Sequence, residues 1–237
     1  MKSFLESFSQ SRRPLVNFAL IAINALAFIY TISLGGLDRD IFFWKYGLIP
    51  LEITSGIEFQ TLGNRFGPDI ASPIPTWGTV FTSMFIHSGP IHFLGNMLFL
   101  YGFGGGVEQR LGHVKYLIFY MATGVAATWT QVASTLDTQA VLIGASGAIS
   151  GVVGAYLLES PYRNAIALLV VFSGLPLLLS VRSFSPVSTG AGVAYLPHLG
   201  GLVAGVLLMA GYKLLIGEPI RPPRSPGWRP WRGRDWE

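Results

Sequence analysis

The sequence predicts an all-α integral membrane protein with six membrane-spanning helices and a long first outer loop. Residues of the types AVILMFWYC make up 51% of the 237 residues, only 12% are charged, and the mean hydropathy is +0.50. Because a soluble domain carries about 25% charged residues, this composition favours a bilayer environment. It argues against a nucleic-acid-binding protein or an ordinary cytosolic enzyme. The sequence has no cysteine, which excludes a disulfide framework and a thiolate metal site.

Six apolar stretches are candidate spans, because a helix needs about 20 apolar residues to cross the hydrocarbon core. The first, 15–34, contains no charge and follows Pro14, which suits a helix start. It is too long for the apolar part of a cleavable signal peptide. The other five lie at 91–107, 116–132, 146–158, 165–179 and 193–216. Residues 14–217 are therefore predicted to form one six-helix domain.

Three segments lie outside the spans. The outer loop, about 35–90, contains the aromatic residues Phe42, Trp44 and Trp77, which suggests that it folds onto the membrane interface. Residues 1–13 form a short N-terminal segment. The tail, 218–237, is rich in Pro, Arg and Trp, and we expect it to lie against anionic lipid.

The distribution of positive charge predicts the orientation. Six spans place both termini on one side of the membrane. If that side is the cytoplasm, 12 of the 16 Lys and Arg residues are cytoplasmic, and only Arg39, Lys45, Arg65 and Arg182 are not. This fits the excess of positive charge found in cytoplasmic loops. We therefore expect a multi-pass protein of a prokaryotic cell membrane with both termini in the cytoplasm.

Polar side chains within spans are functional candidates. His92 and Asn96 in the second span are four residues apart and so share one helical face. Ser146 opens the fourth span, and His198 lies in the sixth. Helical rise places these four side chains about 18–24 Å above the inner ends of their spans, so they share one level. The inner ends are taken at the first charged residues, Glu108, Glu159 and Lys213.

The fourth span is also short for a crossing helix. From Ser146 to Glu159 it covers about 20 Å, so the preceding chain, 137–143, must dip into the membrane. Ser146 is then expected at the N-terminus of a buried helix, where free N–H groups favour an oxyanion. Two pairs of glycines predict that spans four and six approach closely and bring Ser146 to His198. The pairs are Gly147 with Gly151, and Gly201 with Gly205.

Each of these features has an ordinary explanation when taken alone. A Gly-x-Ser-Gly sequence in a membrane helix is more often a packing element than a nucleophile. A single histidine or asparagine commonly bonds a neighbouring helix. Four polar side chains at one depth on three helices are much harder to explain in that way.

The residues resemble the rhomboid family of intramembrane serine proteases over roughly 77–205. The resemblance rests on FIHSGPIHFLGNMLFL, which contains His87 and His92, then GGVEQRLG, GASG at 144–147, and PHLGGLVAG at 197–205. It implies a six-helix core in which Ser146 is the nucleophile and His198 the general base. His92 and Asn96 match side chains that stabilise the oxyanion. Glu108 and Arg110 match a structural polar pair at the inner end of the second helix.

One departure concerns the base. Many family members have an aromatic residue four positions after the nucleophile, where it stacks on the base. This chain has Ser150 at that position, so the orientation of His198 needs another explanation.

The expected chemistry is acyl transfer without a cofactor or metal. His198 would accept the proton of Ser146 as it attacks a peptide carbonyl. Backbone N–H groups near Ala145 would hold the oxyanion together with His92 and Asn96. The expected substrates are single-span membrane proteins. There is no HExxH zinc motif, and no span carries an aspartate pair.

Two other functions stay open at this stage. An inactive rhomboid-like protein that binds membrane helices, as derlins do, would be expected to lack Ser146 or His198, and both are present. A small transporter that uses the polar cluster would favour paired broken helices. The sequence shows one such break, before Ser146.

Overall fold

The computed structural model describes residues 13–63, 67–159 and 195–220. Two of its helices, Leu15–Ser33 and Leu196–Leu215, are long and apolar enough to cross a membrane, as judged by length and composition. The predicted fifth span, 165–179, and nearly all of the N-terminal segment and basic tail lie outside the described residues. The number of six spans therefore stays a prediction.

The described residues fold into helices joined by turns and two isolated β-bridges. The helices are α1 Leu15–Ser33, α2 Gly36–Tyr46, α3 Pro50–Ser55, α4 Thr79–Thr82, α5 Pro90–Phe99, α6 Gly105–Leu111, α7 His113–Ser134, α8 Ser146–Glu159 and α9 Tyr195–Leu215. Short 3-10 turns, Thr76–Gly78 and Ser83–Phe85, flank α4. A π turn, Leu100–Gly104, joins α5 to α6 and makes one continuous helix of the predicted second span.

The outer loop is folded rather than extended. It contains α2, α3 and α4, and the Leu48–Leu142 bridge ties it to the chain that precedes α8. Leu48 and Leu142 exchange two backbone hydrogen bonds, of 3.0 and 2.7 Å. The Thr82 hydroxyl donates to the carbonyl of Tyr46 at 2.6 Å and holds α4 beside α2. The loop thereby supports the segment that leads into Ser146.

The centre of the molecule is α8, which packs against both α7 and α9. Every residue from Gly147 to Ala155 is buried. A helix that is apolar on all sides is expected in such a central position. Its small residues allow close neighbours, since membrane helices associate through van der Waals packing rather than through a hydrophobic driving force.

Charged side chains join the inner ends of α6, α8 and α9. Lys213 is 2% exposed, and its Nζ lies 3.0 Å from Oε1 of Glu159. Arg110 also reaches Glu159, with Nε 3.5 Å from the same oxygen, and pairs with Glu218 beyond α9. The charged residues taken as inner ends of spans four and six are therefore direct neighbours, which agrees with the shared depth predicted from the sequence.

Glu108 and Arg110, the implied structural polar pair, lie on α6 and make separate polar contacts. Glu108 is 1% exposed and accepts the backbone N–H groups of Val16 and Asn17, at 2.9 and 2.7 Å. It also contacts His113. Residues two apart on a helix do not face each other, so Glu108 points to the start of α1 while Arg110 points to Glu159. The Glu108 carboxylate caps α1 from another helix, a place that suits a negative group.

Candidate active site

Ser146 and His198 lie together although 52 residues separate them in the sequence. The Ser146 Oγ is 2.7 Å from Nε2 of His198, within hydrogen-bond distance. Ser146 is the first residue of α8, and His198 lies in the first turn of α9. Both side chains are half-buried. The first N–H groups of α8 have no partner within their own helix, so Ser146 stands where a helix favours negative charge.

Glycines allow the two helices to meet backbone to backbone. A Cβ at Gly201 would lie 2.0 Å from the carbonyl oxygen of Gly147, and one at Gly205 would lie 2.0 Å from that of Gly151. No side chain fits at either position. His198 is three residues before Gly201 and shares its helical face, so this contact fixes the imidazole against Ser146. We call these four glycines the glycine seam.

Gly144 lies between Ser146 and His92 and has no side chain that would separate them. Its φ of +130° is one that residues with a side chain rarely adopt. A Cβ there would lie 2.9 Å from two ring atoms of His92 and 3.6 Å from the Ser146 Oγ. The Gly144 N–H donates to the Ser83 carbonyl at 2.9 Å and anchors this turn. Ser146 and His92 therefore border the same point, which a side chain at residue 144 would fill.

His92 faces this point from α5, and Asn96 lies one turn further along the same helix. The His92 Nδ1 is 3.1 Å from the Ser88 hydroxyl, which orients the ring. Asn96 is 5% exposed, and its Nδ2 has no hydrogen-bond partner among the described residues. A buried amide donor without a partner is unusual. Such a group is able to donate to a negative oxygen that arrives only during a reaction.

His87, which the sequence analysis noted in a motif without a role, packs behind His92. It is fully buried, with its ring centroid 5.1 Å from that of His92 and 5.5 Å from that of Phe93. Burial, with a smaller contribution from His92, lowers the pKa of His87 from its usual value to about 3. His87 is therefore a neutral ring at physiological pH and supports His92 by contact.

Ser150 lies in the contact between α8 and α9, where there is no room for an aromatic ring. Its hydroxyl donates to the Ser146 carbonyl at 2.8 Å, and it is fully buried. Its Cβ is 3.3 Å from where a Cβ of Gly201 would lie. An aromatic ring at residue 150 would push α9 away, so the close helix contact and the small residue at this position belong together.

Some residues that build the site were missed by the sequence analysis. Ser83 and Ser88 hold Gly144 and His92, and no sequence pattern indicated either contact. Asn17 of α1, bonded to the π turn below Asn96, was also missed, although a polar residue in an apolar span is itself a signal. Within the described part of the chain, no group of three or more His, Asp or Glu side chains is arranged to hold a metal ion.

This arrangement is suited to nucleophilic chemistry. A serine hydroxyl within hydrogen-bond distance of an imidazole is the minimum for an activated nucleophile. A helix N-terminus and a buried amide donor nearby are suited to an oxyanion. Ser146 lies against His198, and His92 faces Ser146 across Gly144; the catalytic roles of these residues, of Asn96 and of the Ala145 backbone stay predictions.

Comparison with known proteins identifies relatives of the chain. The family model of the Rhomboid domain matches residues 75–214. RHOMBOID-like protein 1 of Arabidopsis thaliana is 33% identical over 142 residues, which are 58% of this chain and 34% of the relative. RHOMBOID-like protein 7 of the same plant is 34% identical over 143 residues, 57% of this chain and 42% of the relative.

A bacterial relative carries a name that includes an activity. Rhomboid protease GluP of Bacillus subtilis (strain 168) is 27% identical over 141 residues, which are 58% of this chain and 26% of the relative. The chain thus spans less than half the length of each of these three relatives.

Proposed function

The chain belongs to the rhomboid family of helical integral membrane proteins, and on this premise we propose that it is an intramembrane serine endopeptidase that uses Ser146 and His198. The observation that carries the proposal is the 2.7 Å separation of the Ser146 Oγ and the His198 Nε2 at the start of a buried helix. Family membership alone does not decide activity, because the family also contains inactive members.

The proposed reaction is acyl transfer in two steps. His198 accepts the hydroxyl proton as the Ser146 oxygen attacks the scissile carbonyl carbon. The same proton passes to the leaving amine as the peptide bond breaks, which leaves an acyl ester on Ser146. Water then attacks the ester with His198 again as base, and the carboxylic product and free Ser146 are released.

The oxyanion formed in each step needs hydrogen-bond donors. The N–H groups around Ala145 and Ser146, the Nδ2 of Asn96 and the ring of His92 are the proposed donors. The unpartnered state of Asn96 Nδ2 among the described residues supports this role. The space above Gly144, bordered by His92 and Ser146, is the proposed position of the substrate carbonyl.

The proposed substrates are single-span membrane proteins, cleaved where their helix unwinds near its outer end. The site lies about 18–24 Å above the inner charged residues by helical rise, so an entering peptide bond must reach the outer half of the membrane. We further propose a prokaryotic cell membrane with both termini in the cytoplasm, as the distribution of Lys and Arg favours.

A serine-directed fluorophosphonate tests the enzyme assignment. The purified wild type is expected to be labelled and to cleave a model single-span substrate. Ser146→Ala and His198→Ala are expected to lose both activities while they keep the thermal stability of the wild type. Ser150→Ala is a matched control, because it removes a serine hydroxyl one turn further along the same helix. This variant is expected to be labelled like the wild type.

The opposite results would overturn the proposal. A wild type that is not labelled, or a Ser146→Ala variant labelled like the wild type, would exclude the serine mechanism. An unlabelled wild type that still binds a single-span helix would instead indicate an inactive helix-binding relative.

A further inference from the structure

A π turn interrupts the helix that carries His92 and Asn96. It runs from Leu100 to Gly104 and begins four residues after Asn96. Single π turns within α-helices are rare and frequent at functional sites. Its Phe103 packs against Tyr156 of α8, and a buried side chain of α1 donates a hydrogen bond to it.

Asn17 of α1 joins the π turn to α7 through the two ends of its amide. Its Nδ2 donates to the Leu100 carbonyl at 3.0 Å, and its Oδ1 accepts the Tyr116 hydroxyl at 2.7 Å. Asn17 is 1% exposed. A Cβ at Gly104 would lie 1.9 Å from the Asn17 Oδ1 and 2.5 Å from the Tyr116 hydroxyl oxygen. The Asn17 amide therefore lies directly against Gly104. Any residue other than glycine at position 104 would leave no room for that amide.

The π turn determines which way Asn96 points. Asn96, Leu100, Gly104 and Glu108 lie four residues apart along this helix and are buried, as are Met97, Val107 and Leu111. In a regular α-helix a four-residue step overshoots one turn by about 40°, which adds up to about 120° from Asn96 to Glu108. The π turn takes up roughly one residue of that rotation and leaves about 20°. Asn96 and Glu108 then point to the same side.

The inner end of this helix is fixed independently. Glu108 accepts the backbone N–H groups of Val16 and Asn17, so it cannot rotate without uncapping α1. If the π turn closed to a regular α-helix with Glu108 in place, the α5 segment above would rotate by roughly one residue, about 100°. Asn96 and His92 would leave the space beside Ser146.

We propose that Asn17 is a positioning residue for the reaction proposed above: it holds the π turn and thereby aims Asn96 and His92 at the oxyanion. The inference rests on the proposed function. Asn17 touches no reacting atom and acts through the helix that carries the two donors.

The first test compares Asn17→Ala with Asn24→Ala. Asn24 is a matched control, because it is buried on the same side of α1 but contacts Leu20 of its own helix and Tyr120 of α7 rather than the π turn. Asn17→Ala is expected to lower substrate turnover and fluorophosphonate labelling by about 10²-fold or more, the size expected when an oxyanion donor is lost. Asn24→Ala is expected within about threefold of the wild type. Equal rates in the two variants would overturn the inference.

A double-mutant cycle separates positioning from general loss of stability. If Asn17 acts through Asn96, then Asn17→Ala should cost much less in an Asn96→Ala background than in the wild type. Equal losses in both backgrounds would indicate a structural role alone. If Asn17→Ala does not fold, Gly104→Ala compared with Gly102→Ala decides, since only residue 104 lacks room for a Cβ. Equal turnover in those two would contradict the proposal.

Deletion of Gly102 offers a rescue experiment. It removes one residue from the π turn, so that a regular α-helix would again place Asn96 and Glu108 on one side. In that background Asn17→Ala should change turnover by less than about threefold, and an undiminished loss would contradict the role given to the π turn. An unlabelled wild type would overturn the proposed function itself, whereas Ser146-dependent labelling that does not respond to Asn17→Ala would overturn this inference alone.

Discussion

α8 and α9 meet through backbone atoms, whereas α1 is held against the α5–α6 helix by hydrogen bonds from side chains. At the glycine seam, a carbonyl oxygen of α8 occupies the place of a side chain on α9. On the other side of the molecule, Asn17, Glu108 and Tyr116 form a set of buried hydrogen bonds that we call the polar seam.

The two seams constrain the molecule in different ways. Repulsion sets the distance at the glycine seam, which has no rotamers to adjust, so Ser146 and His198 are fixed by packing alone. The polar seam depends on the direction of individual bonds and fails when a buried group loses its partner. The reacting pair therefore lies on the contact that moves least, while the groups proposed to stabilise charge lie on the helix whose rotation depends on hydrogen bonds.

The largest effect is expected at the glycine seam. Gly201→Val should reduce fluorophosphonate labelling by more than about 10³-fold, because α9 must move by more than 1 Å and a 1 Å misplacement alone costs about 10². Gly201→Ala should lose about 10²-fold. Gly211→Val on the same helix is the matched control, since no atom lies within 4 Å of a Cβ there. Labelling that is flat across this series would show that the seam does not set the distance between Ser146 and His198.

Asn96→Ala should have the next largest effect. Removal of one oxyanion donor slows turnover by about 10²–10³-fold, and His92 and the backbone N–H groups would remain. Thermal stability should change little, because the Asn96 Nδ2 has no partner to lose among the described residues. Asn24→Ala controls for removal of a buried amide. Parallel losses of stability and turnover would assign Asn96 to packing.

Glu108→Gln should weaken the polar seam without changing the chemistry. The variant loses the charge that faces the start of α1 and His113, and we expect unfolding to become easier by about 1–3 kcal/mol. Arg110→Gln is the matched control, because the Arg110 side chain is 28% exposed and Lys213 remains to pair with Glu159. It should change stability by at most about 1 kcal/mol. Thermal unfolding checks both values.

The labelling rate per folded molecule completes this comparison. It should stay within about threefold of the wild type in Glu108→Gln, because the π turn and Asn17 remain in place to hold α5. A large fall in labelling of folded Glu108→Gln would show that the two seams are not separable.

The sequence predicts the glycine seam better than the polar seam for a physical reason. Gly201 and Gly205 are separated by one helical turn, and such spacing is itself the requirement for close contact. Ser146 and His198 follow from it, together with helical rise. The predicted bounds 15–34 and 146–158 differ by only one residue at the C-terminal end from α1 and α8, because apolar length and a helix start are local properties.

The polar seam depends on what lies across it, which one chain segment does not reveal. Nothing near Glu108 indicates that its partners are N–H groups of α1, some 90 residues earlier. The π turn is equally hidden: Gly102 and Gly104 weaken a regular helix, but glycines alone do not distinguish a π turn from a kink or a close helix contact. The contact of this turn with Asn17 of α1 is likewise known only from the fold.

The smallest expected effect concerns pH at the outer end of the α1–α5 contact. There Phe28 of α1 stacks on Phe93, with ring centroids 4.5 Å apart, and His87 packs against Phe93. Burial lowers the pKa of His87 from 6.5 to about 3 in the folded protein. Between these two pH values His87 is protonated in the unfolded chain but neutral in the folded protein. The stability that neutral His87 contributes is therefore complete above pH 6.5 and falls as the pH drops toward 3.

Between pH 7 and pH 5 the wild type should lose about 2 kcal/mol from this group. His87→Leu should lack that part of the pH dependence, while all other titrating groups are unchanged. Thermal unfolding of both proteins in the same detergent at pH 7 and pH 5 measures the difference. Identical pH dependence would mean that His87 becomes protonated without unfolding, and that the apolar end of the α1–α5 contact admits water more readily than its burial indicates.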